Sequence, residues 1–219
     1  MNSREIVLAA LEFRRAPRVP FDLWVLPWAE RRYPDEVAAI RRDYPWDFAC
    51  PPPFYRETIP GEGDAYRCGT YIDERGCRFT NIHYGIIGEV KEPPVADWDD
   101  VSGVHIPEEL LSIDIPEINR WCETSDKFLL SGCCPRPFER MQFLRGTENL
   151  YLDLALEEPR MLAMLSQVHE FYCRKLELWG QTRVDALRFM DDWGAQHNLL
   201  ISPEMWRRIF KPLYRDYVN

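Results

Sequence analysis

Two adjacent acids near the carboxyl end of the chain, Asp191 and Asp192, are the side chains best suited to chemistry. They follow a short apolar run at residues 184–190 and precede Trp193 and a glycine. Neighbouring carboxylates repel one another, and burial adds to this effect, so the pKa of one can rise until it serves as a proton donor or a cation-binding acid. The alternative is a solvated loop in which one aspartate caps the next turn.

Three further side chains follow in the same segment. Trp193 could be a stacking platform for a flat ligand, or it could belong to the core. Gln196 and His197 would line the same strand end, although a lone histidine is more often a polar loop residue. We therefore treat all three as candidate substrate-binding residues.

Arginines provide a second set of candidates. Arg31 and Arg32 could clamp a carboxylate or phosphate, since guanidinium groups suit bidentate anions; a solvated helix start is the alternative. Arg140 could reach the pocket together with its neighbours Glu139 and Gln142. Its alternative is an ion pair confined to the helix surface.

Several elements must position these side chains. Apolar runs at residues 21–25, 46–50, 127–131 and 184–190 alternate with helical patterns. Such alternation predicts a parallel sheet with right-handed crossovers, and the last run is typical of a strand buried on both faces. Chemistry in such folds collects at the carboxyl ends of the strands. Glycine-punctuated β segments at about residues 60–95 predict an antiparallel insertion of hairpins.

Composition limits the classes of partner. The 219 residues are 46% hydrophobic, enough for the core of one domain, and the net charge of −9 argues against nucleic acid or an anionic membrane surface. The seven cysteines show no CxxC spacing, and no signal peptide or membrane-length apolar run is present. This pattern predicts a cytoplasmic protein with reduced thiols.

Three stretches, in order, resemble the uroporphyrinogen decarboxylase superfamily, which includes the decarboxylase and corrinoid-dependent methyltransferases. They are SREIVLAALEFRRAPRVPFDLW, GCCPRPFERMQFLRG and FMDDWGAQHNLLISPEMWRRIFKP. The resemblance implies a (β/α)8 TIM barrel, of which this chain would form the N-terminal half with about four strand–helix units and the insertion. An open half-barrel exposes a sheet edge, so we expect a homodimer or a partner chain that completes the barrel.

The resemblance also implies catalytic residues. Asp191 matches the aspartate of the superfamily's Phe-Asp-Ser-Trp segment, and Asp192 replaces the serine. Asp47 aligns, loosely, with the catalytic aspartate that follows the second strand of the decarboxylase.

Substrate-binding residues follow from the same resemblance. Arg32 and Tyr33 match in place a segment whose arginines bind substrate carboxylates in the decarboxylase, but the rest of that segment differs. Phe143 stands where the decarboxylase uses a tyrosine. Phe138 would form an apolar wall with Trp193.

We expect methyl transfer between a small methylated substrate and a corrinoid carrier, because the carboxylate-binding arginine pattern is broken while the strand-end acids remain. One alternative is decarboxylation of porphyrinogen acetate side chains, where Asp47 or Asp191 would stabilise the developing positive charge and no cofactor is needed. Another is a non-catalytic half-barrel that needs a partner. The methyltransferase branch binds zinc through a His-x-Cys motif and a later cysteine. No histidine here has that spacing, and in the family the motif lies beyond residue 219, so no metal ligand is expected within this chain.

Overall fold

Helices make up most of the regular structure in the computed structural model, which describes residues 1–219. They are α1 (Ser3–Leu11), α2 (Pro27–Arg32), α3 (Pro34–Asp43), α4 (Ile115–Cys122), α5 (Pro137–Arg145), α6 (Thr147–Leu156), α7 (Pro159–Gly180), α8 (Pro203–Met205) and α9 (Lys211–Val218), with a 3-10 turn at Glu108–Leu111. None of these helices combines the length and hydrophobicity that crossing a bilayer requires.

Helix starts follow local capping rules. The side chain of Ser202 accepts a hydrogen bond from the backbone N–H of Met205 at 3.1 Å, as the sequence predicts for the start of α8. At the start of the first helix, α1, the sequence predicts Ser3 as the cap. Asn2, not Ser3, caps this helix, and its side-chain oxygen accepts from the N–H of Glu5 at 2.9 Å.

The parallel sheet is smaller than the sequence suggests. Strand β1 (Phe48–Ala49) pairs in parallel with β5 (Phe128–Leu129), and one further parallel bridge joins Leu130 to Ala186. Residues 21–25, expected as the first strand, form no strand, although the carbonyl of Phe21 accepts a hydrogen bond from the N–H of Asp47 at 2.9 Å.

Residues 184–190 also differ from expectation. The apolar run predicted a strand buried on both faces, but each of these side chains is only partly buried. The physical reason is that this segment has a paired neighbour on one side only, where Leu130 bridges Ala186, and lies at the edge of the sheet. Mixed α/β structure is therefore present, while a barrel of four paired strands is not.

The insertion forms a separate three-stranded antiparallel sheet, as predicted. Strands β2 (Gly69–Ile72), β3 (Arg78–Asn81) and β4 (Glu89–Glu92) lie in sequential order. The β2–β3 turn uses Gly76 at a positive φ of 86°, a backbone conformation that favours glycine. This turn carries the acids that attach the insertion to α5.

The core forms chiefly around α7. Its inward side chains, Met161, Leu165, Val168, Leu176 and Trp179 among them, join a cluster of 23 buried residues. The last helix adds Phe210 and Tyr217 to this cluster. Between α8 and α9 lies a wide π-type turn, Trp206–Phe210, which ends at the buried ring of Phe210.

Candidate functional site

A cleft of about 400 Å³ lies along the short parallel strands and extends past their carboxyl ends. We call it the strand-end cleft. Its walls come from separate parts of the chain that the parallel pairing brings together: Asp22, Leu23, Trp24, Val25, Trp46, Phe48, Ala49, Cys50, Leu130, Arg136, Arg188 and Met190. Because most of these residues are apolar and a few are polar, the cleft suits a small organic ligand.

Two buried hydrogen-bond donors of this cleft have no partner. The Nε–H of Arg188 and the indole N–H of Trp46 are both buried and make no hydrogen bond. Buried donors are almost always paired, and an unpaired one costs roughly 1–3 kcal/mol. Both donors belong to residues that line the cleft.

Three charged residues line the strand-end cleft, Arg136, Arg188 and Asp22. Asp22 accepts a hydrogen bond from the indole of Trp24 at 2.9 Å. Arg136 is oriented by Glu139, whose carboxylate accepts from its Nη1 at 2.9 Å. The cleft therefore combines a mostly apolar lining with one arginine, Arg188, that is in no ion pair, which favours an anionic ligand.

Asp191, the leading catalytic candidate, is held by hydrogen bonds within the protein. Its carboxylate accepts from the backbone N–H groups of Phe138 at 2.8 Å and Glu139 at 2.9 Å, which begin α5. It also accepts from the hydroxyl of Tyr214 at 3.0 Å. Burial raises the pKa of Asp191, while these donors favour its charged form. Both oxygens are occupied, so the observed geometry is that of a structural anchor rather than a free acid.

The neighbours of Asp191 do not gather around the strand-end cleft. Asp192 is exposed and lines a different groove, between α5 and β4. Gln196 and His197 are exposed on the following loop and line neither the cleft nor that groove. The expectation that these side chains share one strand end with Asp191 is therefore not met by the geometry.

Phe138 and Trp193 do form the expected aromatic pair. Their rings are stacked with centroids 4.7 Å apart and planes 14° from parallel. Phe138 is fully buried in the core, so it supports Trp193 but cannot itself contact a ligand. Trp193 remains partly exposed.

Arg140 and Phe143 attach the insertion to α5. Arg140 donates through Nη1 to the carboxylate of Asp73 at 2.5 Å and through Nη2 to Glu74 at 3.3 Å. Phe143 meets the ring of Phe79 edge to face at 5.1 Å. Both contacts are made within the protein, and Phe143 also lines the groove between α5 and β4 together with Asp192.

Asp47, the second catalytic candidate, is fully buried in an ion pair. Arg18 donates to both of its oxygens at 2.5 and 2.7 Å, and the N–H of Phe21 donates at 2.7 Å. Burial alone would raise the pKa of Asp47, but these hydrogen bonds outweigh it and hold the pKa at about 2. The pair fastens residues 18–21 to β1, and Asp47 does not line the cleft.

Arg31 and Arg32 line a groove of about 440 Å³ with Trp28, His83 and Tyr84. Arg31 lies over the ring of Tyr84 at 3.9 Å, and neither arginine is in an ion pair with an acid. Both therefore remain available to an anion, as the sequence suggests. Tyr33 packs against Trp28 but does not line this groove.

Sequence reasoning missed the two arginines of the strand-end cleft. Arg188 is the one cationic residue in the apolar run at residues 184–190, and this was the available signal. Arg136 gave none, because its position in the cleft depends on how the chain folds after β5. No group of three or more His, Cys, Asp and Glu side chains is placed to hold a metal ion.

Comparison with known proteins gives one informative result. No protein-family model and no curated protein sequence matches the chain. Among solved structures, the chain is similar to a methyltransferase from Methanosarcina mazei, with a TM-score of 0.60 and 14% identity. The similarity covers 99% of this chain and 66% of the methyltransferase, so the chain spans about two thirds of that protein's length.

This similarity shows a fold that a methyltransferase also uses. The mixed α/β structure is consistent with part of a TIM barrel, of which two paired parallel strands and one bridged segment are present. At 14% identity the similarity does not extend to substrates or residue roles. The resemblance to the uroporphyrinogen decarboxylase superfamily is consistent with this fold and stays a prediction.

Proposed function

We propose that the chain belongs to an enzyme that transfers a methyl group, and that a small anionic methylated compound binds in the strand-end cleft. The observation that carries the proposal is the pair of unpartnered buried donors, Arg188 Nε and Trp46 Nε1, in one apolar cleft. The fold shared with a methyltransferase supports the reaction class.

The cleft's own residues would bind and orient the substrate. Arg188 would pair with its anionic end, while Val25 and Phe48 would pack against the methyl-bearing end and exclude water. In the transfer, the bond between the methyl carbon and the donor atom breaks with its electron pair left on the donor. The acceptor supplies the pair for the new bond.

Zinc and a corrinoid carrier come to this proposal from the family resemblance. The residues present do not fit zinc, because no cluster of His, Cys, Asp and Glu side chains forms. A thiol that lines the cleft, Cys50, stands without a histidine or second cysteine beside it there. The corrinoid would be brought by a partner protein.

A matched ligand pair tests binding. (Methylthio)acetate and its neutral amide differ in charge and little else, so calorimetric titration reports the contribution of the ligand's charge to its binding free energy. We expect the carboxylate to bind more tightly. Arg188→Met should weaken its binding about tenfold or more, since a hydrogen bond to a charged group contributes roughly 1.5–3 kcal/mol. Arg183→Met, on the same segment but outside the cleft, should have no effect.

Transfer itself is measured by mass spectrometry, with an isotopically labelled methyl group followed from a panel of methylated acids to reduced cobalamin. Label in cobalamin that depends on Arg188 would support the proposal. Tight binding without transfer across the panel would contradict methyl transfer and leave a ligand-binding protein.

Decarboxylation of a porphyrinogen is a second candidate, favoured by the unpaired Arg31 and Arg32 in one groove. The contacts of the two proposed catalytic acids argue against decarboxylation. Asp47 is in an ion pair with Arg18, and Asp191 caps α5. Uroporphyrin and cobalamin binding, measured by absorbance together with metal analysis, separates the two enzymes. If neither binds, a non-catalytic half-barrel that requires a partner becomes the better account.

A further inference from the structure

A second pocket, of about 280 Å³, lies between the loop after Trp193 and the start of the last helix. We call it the tryptophan pocket. It is lined by Trp193, Leu199, Ile201, Pro203, Trp206 and Arg207. None of these residues lines the strand-end cleft, so the two sites are separate.

Two tryptophan rings form walls at nearly a right angle. The planes of Trp193 and Trp206 make 86°, with centroids 6.3 Å apart. Trp193 is fixed by the stacked ring of Phe138 at 4.7 Å and the edge of Phe210 at 4.9 Å. Because the Trp193 side chain is already ordered, the protein loses little side-chain entropy when a flat group packs against it.

Backbone contacts hold the rest of the pocket in place. The N–H of Leu200 donates to the carbonyl of Trp193 at 2.9 Å, and the N–H of Ala195 donates to that of Asn198 at 2.7 Å. The pocket is therefore formed before any ligand arrives.

Arg207 supplies a single charge at the edge of this apolar pocket. The adjacent Arg208 is in an ion pair with Glu157 at 2.7 Å, whereas Arg207 has no acid within 4 Å. A guanidinium group without a partner beside aromatic walls suits a carboxylate and repels a cation.

We propose that the tryptophan pocket binds a small planar aromatic carboxylate, with its ring against Trp193 and Trp206 and its carboxylate on Arg207. The volume limits the ligand to one or two fused rings. The two tryptophan rings and the aliphatic side chains select a flat hydrophobic body, and Arg207 selects the sign of the charge.

The test uses 19F NMR of the full chain labelled with 5-fluorotryptophan, where Trp206→Phe identifies the Trp206 signal. The probe is 2-naphthoate, and its neutral match is 2-naphthamide. We expect 2-naphthoate to shift the Trp206 signal. It should bind at least about threefold more tightly than the amide, because a partly exposed ion pair contributes a small amount of binding free energy.

Variants separate the two parts of the proposal. Arg207→Gln should remove the preference for the acid, while Arg215→Gln, an exposed arginine on the same helix with no ion pair, should keep it. Trp206→Ala should weaken binding about tenfold, and Trp206→Phe, which keeps an aromatic wall, should weaken it less. Equal binding of acid and amide, unchanged affinity in Trp206→Ala, or a Trp206 signal that shifts with protein concentration alone would overturn the proposal. The last result would place a second copy of the chain in the pocket.

Discussion

The hydroxyl of Tyr214 donates a hydrogen bond to the carboxylate of Asp191 at 3.0 Å. Through the same carboxylate, Asp191 also receives the first N–H groups of α5. The end of the segment at residues 184–190, the start of α5 and the middle of α9 therefore meet at one side chain. A carboxylate at a helix N-terminus is favoured by the partial positive charge there, which adds to the strength of this junction.

Tyr214→Phe should lower the free energy of unfolding by about 1 kcal/mol, since it removes one hydrogen bond from a partly buried carboxylate and keeps the ring. Urea denaturation measures the change. Tyr44→Phe is the matched control, because the Tyr44 hydroxyl is exposed and unbonded, and it should leave stability unaltered. Equal effects of the two substitutions would mean that the Tyr214–Asp191 bond contributes nothing.

Asp47 should make stability depend on acid pH. Its pKa is about 2 in the folded chain against 3.8 ordinarily, so the folded state holds fewer protons in this range. The stabilisation is complete above about pH 5 and is lost as the pH falls toward 2, amounting to roughly 2 kcal/mol. Asp47→Asn should be less stable at pH 7 and show a flatter profile between pH 5 and 2. Glu57→Gln, an exposed acid without an ion pair, should keep the wild-type slope.

Gly132→Ala should destabilise the chain by about 1–3 kcal/mol through overpacking. A Cβ at this position would lie 2.5 Å from Cζ2 of Trp179, a fully buried ring that has no free space to move into. Gly180→Ala is a matched test in the opposite direction, because nothing lies within 4 Å of its Cβ position at the end of α7. It should be neutral or stabilising by up to about 1 kcal/mol. Thermal unfolding of both variants gives the comparison.

Arg140→Met should loosen the insertion rather than unfold the core. It leaves the buried carboxylate of Asp73 without its cation, a loss of about 3 kcal/mol. Hydrogen exchange should speed up in β2 and β3 and stay slow in α7. The control Arg67→Gln breaks an exposed pair with Asp64 in the same insertion and should change exchange little. Slow exchange throughout in Arg140→Met would show that other contacts hold the insertion.

Helices were largely predictable because their signals are local. Ser202, Pro203 and Glu204 at consecutive positions predict the start of α8. Apolar residues at helical spacing predict a long helix from about Glu158 to Gly180, and the structure has α7 at Pro159–Gly180. The sequence patterns predict no helix at the position of α6, and for α2 they give only the alternative of a helix start at Arg31 and Arg32.

The sheet was less predictable, because an apolar run indicates an extended segment but not the number of its neighbours. Residues 184–190 have one paired side, so they are half-buried instead of fully buried. Pairing is a property of distant segments, which no local pattern records.

The candidate site shows the same limit for side-chain roles. Asp191 was chosen for its type and its position after an apolar run, but its environment comes from α5, whose donors lie 52 and 53 residues away in sequence. Arg140 finds Asp73 at a separation of 67 residues. Charge and spacing identify side chains that are capable of chemistry. Tertiary contacts decide which of these side chains are already bonded to other groups of the protein.

The π-type turn at Trp206–Phe210 divides the last helix into two parts that are rotated relative to each other about the helix axis. One extra residue in a turn rotates the two parts of the helix on either side of it relative to each other by about 100°. Phe210 and Tyr217 thus fill the interior, while Trp206 and Arg207 line a surface pocket. Deletion of one residue from this turn would rotate Trp206 and Arg207 about the helix axis relative to Phe210 and Tyr217, and so move them out of the positions in which they line the pocket.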